Sequence, residues 1–254
     1  MHCLKEYQAT DFHKIGNQFL MITKERECLR FDRDENIIER KKMAPDDLFK
    51  FKLLYHLAAT MTGIKPITIM RFKAPQPAFK ECSNCTRQWQ EVRKHFLGQQ
   101  TLGMRLLDCN QRGESLIFFH HEACRRLLQI PSVKAFLREQ DFEYGAEAIN
   151  NPEQFIDYCL KEYQHSGSLP VEMGLFMGIP LKDVRGYIKA DKKNHLMTAG
   201  WRIYGQAYPS LALVNLYRRL RQYAVRAYFK HSFAEITERL GRSQLINRIE
   251  LLAN

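Results

Sequence analysis

A chain of 254 residues, 45% of them hydrophobic, can bury a core as one large domain or two small ones, which excludes disorder of the chain as a whole. The 39 Lys and Arg residues outnumber the 28 Asp and Glu residues and give a formal net charge of +11. Nucleic acid, an acidic protein and an anionic membrane surface are therefore all candidate partners. No apolar run approaches the roughly 18–20 residues that span a bilayer, and no signal-like segment follows Met1, so we expect a cytosolic protein.

The first 45 residues are dense in charge, as in DRDENIIERKKMAPDD, and they predict a charged appendage and linker. The segment that follows, DDLFKFKLLYHLAATMTG, has apolar residues at steps of three and four, which indicates a helix with one buried face. Asp46 or Asp47 can cap the start of this helix, and Gly63 can end it.

Two segments in the middle of the chain are typical of β-strands. ITIMRF, residues 67–72, is short and β-branched, and Pro75 and Pro77 follow it, so it predicts a strand that then leaves its sheet. A helix is expected over residues 87–97. LGMRLLDCNQRGESLIFFHH has two apolar runs separated by a loop that ends in Gly113, where a positive φ is expected. It predicts a β-hairpin over residues 102–120.

From His121 onward nearly every segment has helical periodicity, and HEACRRLLQ, PSVKAFLREQ and PEQFIDYCLKEYQ each begin or end at a proline, glycine or polar cap. The predicted fold class is α+β and mainly helical, with a small antiparallel sheet and a C-terminal helical bundle. The predicted divisions are residues 1–45 (appendage and linker), 46–230 (α+β domain) and 231–254 (helical extension).

The stretch LPVEMGLFMGIPLKDVRGYI, residues 169–188, has the spacing of a helix-turn-helix. Gly174, Gly178 and Val184 occupy the places of the small residue, the turn glycine and the buried aliphatic residue, and Pro180 suits the first turn of the second helix. The positions expected to be exposed at the start of that helix are Leu181, Lys182, Asp183 and Arg185. A carboxylate there would repel phosphate. A helical hairpin whose glycines permit close packing is therefore favoured over a DNA-reading module.

The same stretch, with GWRIYG at residues 200–205, carries a motif of an acidic residue, Gly-Leu-Phe, Gly, Pro-Leu, an acidic residue, Val and Gly-aromatic-Ile, followed by Trp and Tyr-Gly. Its residues here are Glu172, Gly174, Leu175, Phe176, Gly178, Pro180, Leu181, Asp183, Val184, Gly186, Tyr187, Ile188, Trp201, Tyr204 and Gly205. The motif resembles the bacterial family catalogued as domain of unknown function 3793, and a weaker likeness covers about residues 46–230. This chain departs from many relatives at Val171, where they have a histidine, and in HLMTAG, which lacks their cysteines.

The resemblance implies a bacterial protein, often from anaerobes, and a context of flavodoxin and ferrous-iron transport. The family has no established activity, so the resemblance transfers no catalytic residue and identifies no cofactor. Our leading hypothesis is a non-catalytic binding or accessory protein linked to anaerobic iron or redox metabolism. Whether Trp201 and Tyr204 line a pocket or brace the helices is left open by the sequence, with bracing favoured.

A second hypothesis, a nucleic-acid-binding protein, comes from LALVNLYRRLRQYAVRAYFKH, residues 211–231. An apolar stripe passes through Leu213, Leu216, Tyr217, Leu220, Ala224, Ala227 and Tyr228. The basic residues around it are Arg218, Arg219, Arg221, Arg226 and Lys230. They can neutralise several phosphates, or they can form a solvated face that pairs with acids elsewhere. Tyrosines between the arginines suit base stacking, but most lie on the apolar stripe and are expected in the core.

FAEITERLGRSQLINRIE, residues 233–250, is a second helix-turn-helix-like segment, and it offers Arg242 and Arg248 to an anion. Asn247 stands where a buried aliphatic residue is required, so the match is partial. An ordinary amphipathic helix pair is the alternative.

The third hypothesis, a thiol redox or metal-dependent enzyme, depends on Cys82 and Cys85 in CSNC, whose spacing can place two thiolates on one metal. A closed zinc site needs two further ligands, which the hairpin would have to supply from Cys109, Cys124, His120 and His121. Otherwise the seven cysteines favour reduced thiols over a disulfide framework. The sequence leaves two roles open for Glu172: a carboxyl whose pKa is raised because apolar residues flank it, or a cap of the preceding turn.

Overall fold

The computed structural model describes residues 9–15, 18–23, 27–32, 37–43, 47–73, 101–110, 113–140, 151–189 and 194–253. The chain forms two compact units, which we call unit 1 (residues 1–59 and 214–242) and unit 2 (residues 60–213 and 243–254). None of the helices within the described ranges is both long enough and apolar enough to cross a bilayer.

The helices and strands follow one another along the chain as β1 (Ala9–Ile15), β2 (Gln18–Thr23), β3 (Glu27–Phe31), β4 (Ile37–Lys42), α1 (Asp47–Met61), β5 (Ile67–Lys73), β6 (Leu102–Asn110), β7 (Gly113–His120), α2 (His121–Gln129), α3 (Pro131–Glu139), α4 (Pro152–Ser166), α5 (Met173–Phe176), α6 (Leu181–Lys189), β8 (Met197–Thr198), β9 (Arg202–Ile203), α7 (Ala207–Lys230), α8 (Phe233–Gly241) and a 3₁₀ helix (Gln244–Ala253). The mainly helical α+β fold class is confirmed, with the hairpin and the helical C-terminal part in their predicted places.

Unit 1 contains an antiparallel sheet in the order β1-β2-β3-β4. The charge density of this region predicts an appendage and linker, and no strand was expected in it. The charges are compatible with a sheet because they pair across strands: Arg30 and Glu39 are register partners on β3 and β4, and their side chains form an ion pair of 2.5 Å. Cys28, Leu29 and Phe31 meanwhile supply β3 with buried apolar side chains.

The second half of α7 packs against α1 and the sheet within unit 1. The ring of Phe51 on α1 meets the ring of Tyr228 edge-on at 5.2 Å between centroids. Lys41 on β4 donates a hydrogen bond from Nζ to the Tyr228 carbonyl at 2.7 Å, and its ammonium lies 3.9 Å from the centroid of the same ring. Tyr217 and Tyr228 are buried, which agrees with their expected place on the apolar stripe of this helix.

Unit 2 contains an antiparallel sheet in the order β5-β7-β6, with β7 at the centre. The hairpin of β6 and β7 pairs Leu102 with His120 at its open end and Asn110 with Gly113 at its loop. Gly113 has a φ of +128°, as predicted. The predicted strand at residues 67–72 is β5, whereas the predicted helix over residues 87–97 lies outside the described residues.

The helices of unit 2 begin and end at the residue types that the sequence indicates. Asn151 accepts a hydrogen bond from the Glu153 N–H at 3.0 Å and caps α4, and Gly167, at φ +72°, ends it. The rings of Phe155 on α4 and Phe176 on α5 stack at 4.0 Å between centroids. This contact holds the short helix α5, and with it the sequence motif, against α4.

Candidate functional site

Asp183 on α6 is the centre of the polar contacts within the motif, and it is only 1% exposed. Its Oδ1 accepts hydrogen bonds from Lys182 Nζ at 2.7 Å and from the Tyr204 N–H at 2.9 Å. Its Oδ2 accepts from Trp201 Nε1 at 2.8 Å and from Ser210 Oγ at 2.6 Å. The Lys182 ammonium and these three neutral donors together offset the cost of burying the carboxylate. Asp183 thereby ties α6 to residues 201–204 and to the start of α7.

The prediction that Asp183 and Leu181 lie on an exposed face is wrong. Both are buried because α6 packs this side against the rest of unit 2. Arg185 is also engaged, since its Nη2 lies 3.0 Å from Glu139 Oε2. The helix therefore presents no free row of base-reading side chains at its start, and the preceding helix, residues 173–176, has only about one turn.

The glycines of the motif have three different roles. Gly178 has a φ of +86° and lets the chain turn after α5. At Gly186 a Cβ would lie 2.4 Å from Cγ of Tyr204, so only glycine fits there. At Gly174 a Cβ would make ordinary contacts of 3.6 Å with Ile179 and Val184. The close approach that the sequence analysis assigned to Gly174 and Gly178 is thus made at Gly186.

A pocket of about 520 Å³, which we call the motif pocket, opens beside Asp183. It is lined by Leu169, Val171, Gly174, Ile179, Asp183, Val184, Tyr187, Trp201 and Arg202. Most of these side chains are apolar or aromatic, and the one cation among them, Arg202, is exposed. The volume lies in the range that holds a small organic ligand. Trp201 therefore lines the pocket and, through its Nε1, also braces α6.

Other residues of the motif have structural roles around the motif pocket. Phe176 is buried against α4, and Pro180 accepts hydrogen bonds at its carbonyl from the N–H groups of Asp183 and Val184, at 2.9 and 3.1 Å. Gly205, at φ +64°, lies in the turn before α7. Glu172 precedes α5 without a side-chain cap bond, and its burial raises its pKa above the usual value for a glutamate, in the direction expected.

A larger open groove of about 780 Å³ lies between α2 and the 3₁₀ helix of unit 2. Its charges are largely paired with one another. Glu122 forms ion pairs with Arg125 and Arg126. The hydrogen bonds from these two arginines lower the pKa of the Glu122 carboxyl, and the bond from Arg126 has the larger effect. Arg126 also donates to Asn247 Oδ1 at 2.9 Å. Because these charged side chains already have partners, they are less available to a ligand than Arg202 of the motif pocket is.

The second helix-turn-helix-like segment is divided between the two units. α8 belongs to unit 1, and the residues that follow form a 3₁₀ helix that belongs to unit 2. Arg242 is 2.5 Å from Glu238 Oε1, and Arg248 is exposed. Asn247, placed by the sequence where a buried aliphatic residue is needed, is exposed. Within the described residues, this segment contains no second α-helix that could enter a groove of DNA.

The candidate metal ligands of the hairpin are used in other ways. His120 caps α2 by accepting a hydrogen bond at Nδ1 from the Ala123 N–H at 3.2 Å, and burial lowers its pKa. His121 lies 3.5 Å from Glu153, and Cys124 is a buried free thiol whose pKa is raised by burial. Cys28, Cys124 and Cys159 are free thiols, in agreement with the expectation of reduced thiols, whereas Cys109 is disulfide-bonded.

Cys82 and Cys85 lie outside the described residues. Among the residues that the structure describes, no group of three or more His, Cys, Asp and Glu side chains is placed to hold a metal ion.

The basic residues of α7 fall into two sets. Arg218 donates to Asn215 Oδ1 at 3.2 Å, and the Arg221 guanidinium lies 5.7 Å from the centroid of the Tyr55 ring. Arg219, Arg226 and Lys230 are exposed and form no ion pair in the described part of the chain. Sequence reasoning identified these residues, but it missed Ser210 as a partner of Asp183. Nothing in its local sequence indicates a contact across 27 positions.

These features define an α+β protein with a ligand-sized pocket built on a buried aspartate. The chain belongs to the family described as protein of unknown function (DUF3793), whose model matches residues 53–237, and the resemblance expected over about residues 46–230 is confirmed. No curated protein and no solved structure shows a significant match to it.

Proposed function

We propose that the protein is a non-catalytic binding protein whose ligand occupies the motif pocket. The observation that carries this proposal is the state of Asp183, the carboxylate of the pocket. All four of its hydrogen bonds are made to the protein itself, and the Lys182 ammonium beside it compensates its charge. A carboxylate so engaged holds the pocket walls in place and is poorly suited to accept a proton from a substrate.

The lining of the pocket favours an apolar or aromatic ligand that carries an anionic group. Leu169, Ile179 and Val184 supply aliphatic surface, and Trp201 supplies an aromatic ring. Arg202 is exposed, and its guanidinium is suited to a carboxylate, sulfonate or phosphate on the ligand. A ligand of this kind buries its apolar body and leaves its charge at the solvent boundary.

A role in anaerobic iron or redox metabolism is supported by the family resemblance alone. A thiol redox or metal-dependent function would depend on Cys82 and Cys85, outside the described residues.

The proposal can be tested with anilinonaphthalene sulfonate, a probe that combines aromatic rings with one anionic group. Its binding to the full chain is measured by probe fluorescence and by quenching of tryptophan emission. Gly174→Ala adds one methyl group between Ile179 and Val184, both in the pocket wall, and should weaken binding about tenfold. Arg202→Gln should weaken it about fivefold, the effect of losing one exposed charge contact.

The matched control is Arg138→Gln, which removes an exposed arginine of α3 in the same unit and should leave binding unchanged. Equal probe affinity in the wild type, Gly174→Ala and Arg202→Gln would show that the probe does not use the motif pocket and would overturn the proposal. A circular dichroism melt of each variant checks that the fold is retained.

A further inference from the structure

The exposed side of α7 in unit 1 carries cations arranged around one exposed tyrosine. Arg219, Tyr223, Arg226 and Lys230 follow one another at steps of four, three and four residues, so they share one face of the helix. We call this set the cationic stripe. Its three cations are exposed, and Tyr223 is 40% exposed. The stripe belongs to a different unit from the motif pocket.

Three acids of unit 1 within the described residues already have partners in the protein. Glu39 pairs with Arg30, and Glu238 pairs with Arg242. Glu235 caps α8 by accepting hydrogen bonds from the Ser232 N–H and Oγ, both at 2.8 Å. In the part of the chain that the structure describes, Arg219, Arg226 and Lys230 form no ion pair. Their charge is therefore available to an anionic partner, and it agrees in sign with the net charge of +11.

Tyr223 differs from the other tyrosines in the second half of this helix. Tyr217 and Tyr228 are 7% and 3% exposed and belong to the core, whereas Tyr223 lies on the outer face between Arg219 and Arg226. Within the described residues Tyr223 has no hydrogen bond or ring contact, and 40% of it is exposed. A ring flanked by guanidinium groups can stack on a nucleic-acid base while its neighbours contact phosphates.

We propose that the cationic stripe binds single-stranded nucleic acid, with one base stacked on Tyr223 and nearby phosphates held by Arg219 and Arg226. The two arginines are about 10 Å apart along the helix axis, and Lys230 lies about 6 Å further, so the stripe follows several nucleotides of an extended strand. A single strand fits better than a duplex because the bases of a duplex are stacked on one another and offer no face to Tyr223. An acidic protein would use the cations but not the ring.

The test is the fluorescence anisotropy of a labelled oligonucleotide of about twelve nucleotides with the full chain, over about 50–200 mM salt. Tyr223→Ala should weaken binding about tenfold, whereas Tyr223→Phe, which keeps the ring, should bind like the wild type. Arg219→Gln and Arg226→Gln should each lower the slope of log affinity against log salt by about 0.7. The matched control is Tyr208→Ala, since Tyr208 is 83% exposed on α7 and no arginine lies three or four residues from it in the sequence.

Four results would overturn the proposal. They are the absence of binding at about 50 mM salt, an equal loss with Tyr223→Ala and Tyr208→Ala, duplex binding as tight as single-strand binding, and tighter binding of polyglutamate that does not depend on Tyr223. The last result would assign the stripe to an acidic protein. Because the substituted side chains are exposed, we expect every variant to fold, and a thermal melt confirms this. Gly174→Ala, which alters the motif pocket, should leave nucleic-acid binding unchanged.

Discussion

From the contact between Gly186 and Tyr204 we can estimate how much a side chain at position 186 would destabilise unit 2. An ideal Cβ on Gly186 would lie 2.4 Å from Tyr204 Cγ and 2.5 Å from Tyr204 Cβ. Both atoms are close to the backbone, and the Tyr204 N–H is held by Asp183 at 2.9 Å, so Tyr204 cannot move away easily. Overpacking of this kind costs up to about 3 kcal/mol, and the better helix propensity of alanine returns about 1 kcal/mol. Gly186→Ala should therefore destabilise the protein by about 2 kcal/mol.

The assay is urea denaturation followed by far-ultraviolet circular dichroism, with a thermal melt in which about 2 kcal/mol corresponds to a fall of about 4–8 °C. Gly174→Ala is the matched control because its added methyl group makes only ordinary contacts of 3.6 Å. Its stability should stay within about 0.5 kcal/mol of the wild type. If Gly186→Ala is as stable as Gly174→Ala, the reasoning about close packing at Tyr204 is refuted.

Two further predictions concern buried carboxylates. Asp183→Asn should lower the free energy of unfolding by about 3 kcal/mol in urea denaturation, because an amide leaves the Lys182 ammonium without its counter-charge; a loss below about 1 kcal/mol would contradict the role given to Asp183. Glu114 on β7 is 2% exposed, its carboxylate oxygens have no hydrogen-bond partner among the described residues, and burial raises its pKa from 4.5 to about 7. Because the pKa of Glu114 is higher in the folded state than in the unfolded state, protonation of this carboxyl favours folding. This contribution to stability is complete below about pH 4.5 and is lost as the pH rises through about 7. Glu114→Gln should therefore be more stable than the wild type at about pH 8, by at most ~3 kcal/mol and by less where water reaches the carboxylate; equal stability of the two proteins at that pH would count against the burial argument.

The hairpin shows what local sequence can predict. Two apolar runs, a loop and Gly113 lie within about twenty residues, so pairing and turn are encoded side by side. β3 and β4 show the opposite case. Their charges hide the alternation, and the ion pair of Arg30 with Glu39 that makes them compatible with a sheet exists only once the strands are in register.

The candidate sites follow the same distinction. The spacing of the motif residues identified them in the sequence. The exposed position expected for Asp183 was wrong because its partners lie further along the chain, Tyr204 in the segment before α7 and Ser210 on α7. On α7 the sequence identified the cations, whereas the exposure of Tyr223 follows from which side of the helix packs on α1 and the sheet.

The family, the mainly helical α+β class, most helix ends and the cationic character of α7 could be predicted from the sequence, because periodicity, caps and composition act over a few neighbouring residues. Three properties follow from tertiary packing: Asp183 is buried, Gly186 is the glycine of close approach, and Tyr223 lies among exposed cations. These properties depend on contacts between residues far apart in the chain, and no local pattern encodes which of many compatible partners packing will bring together.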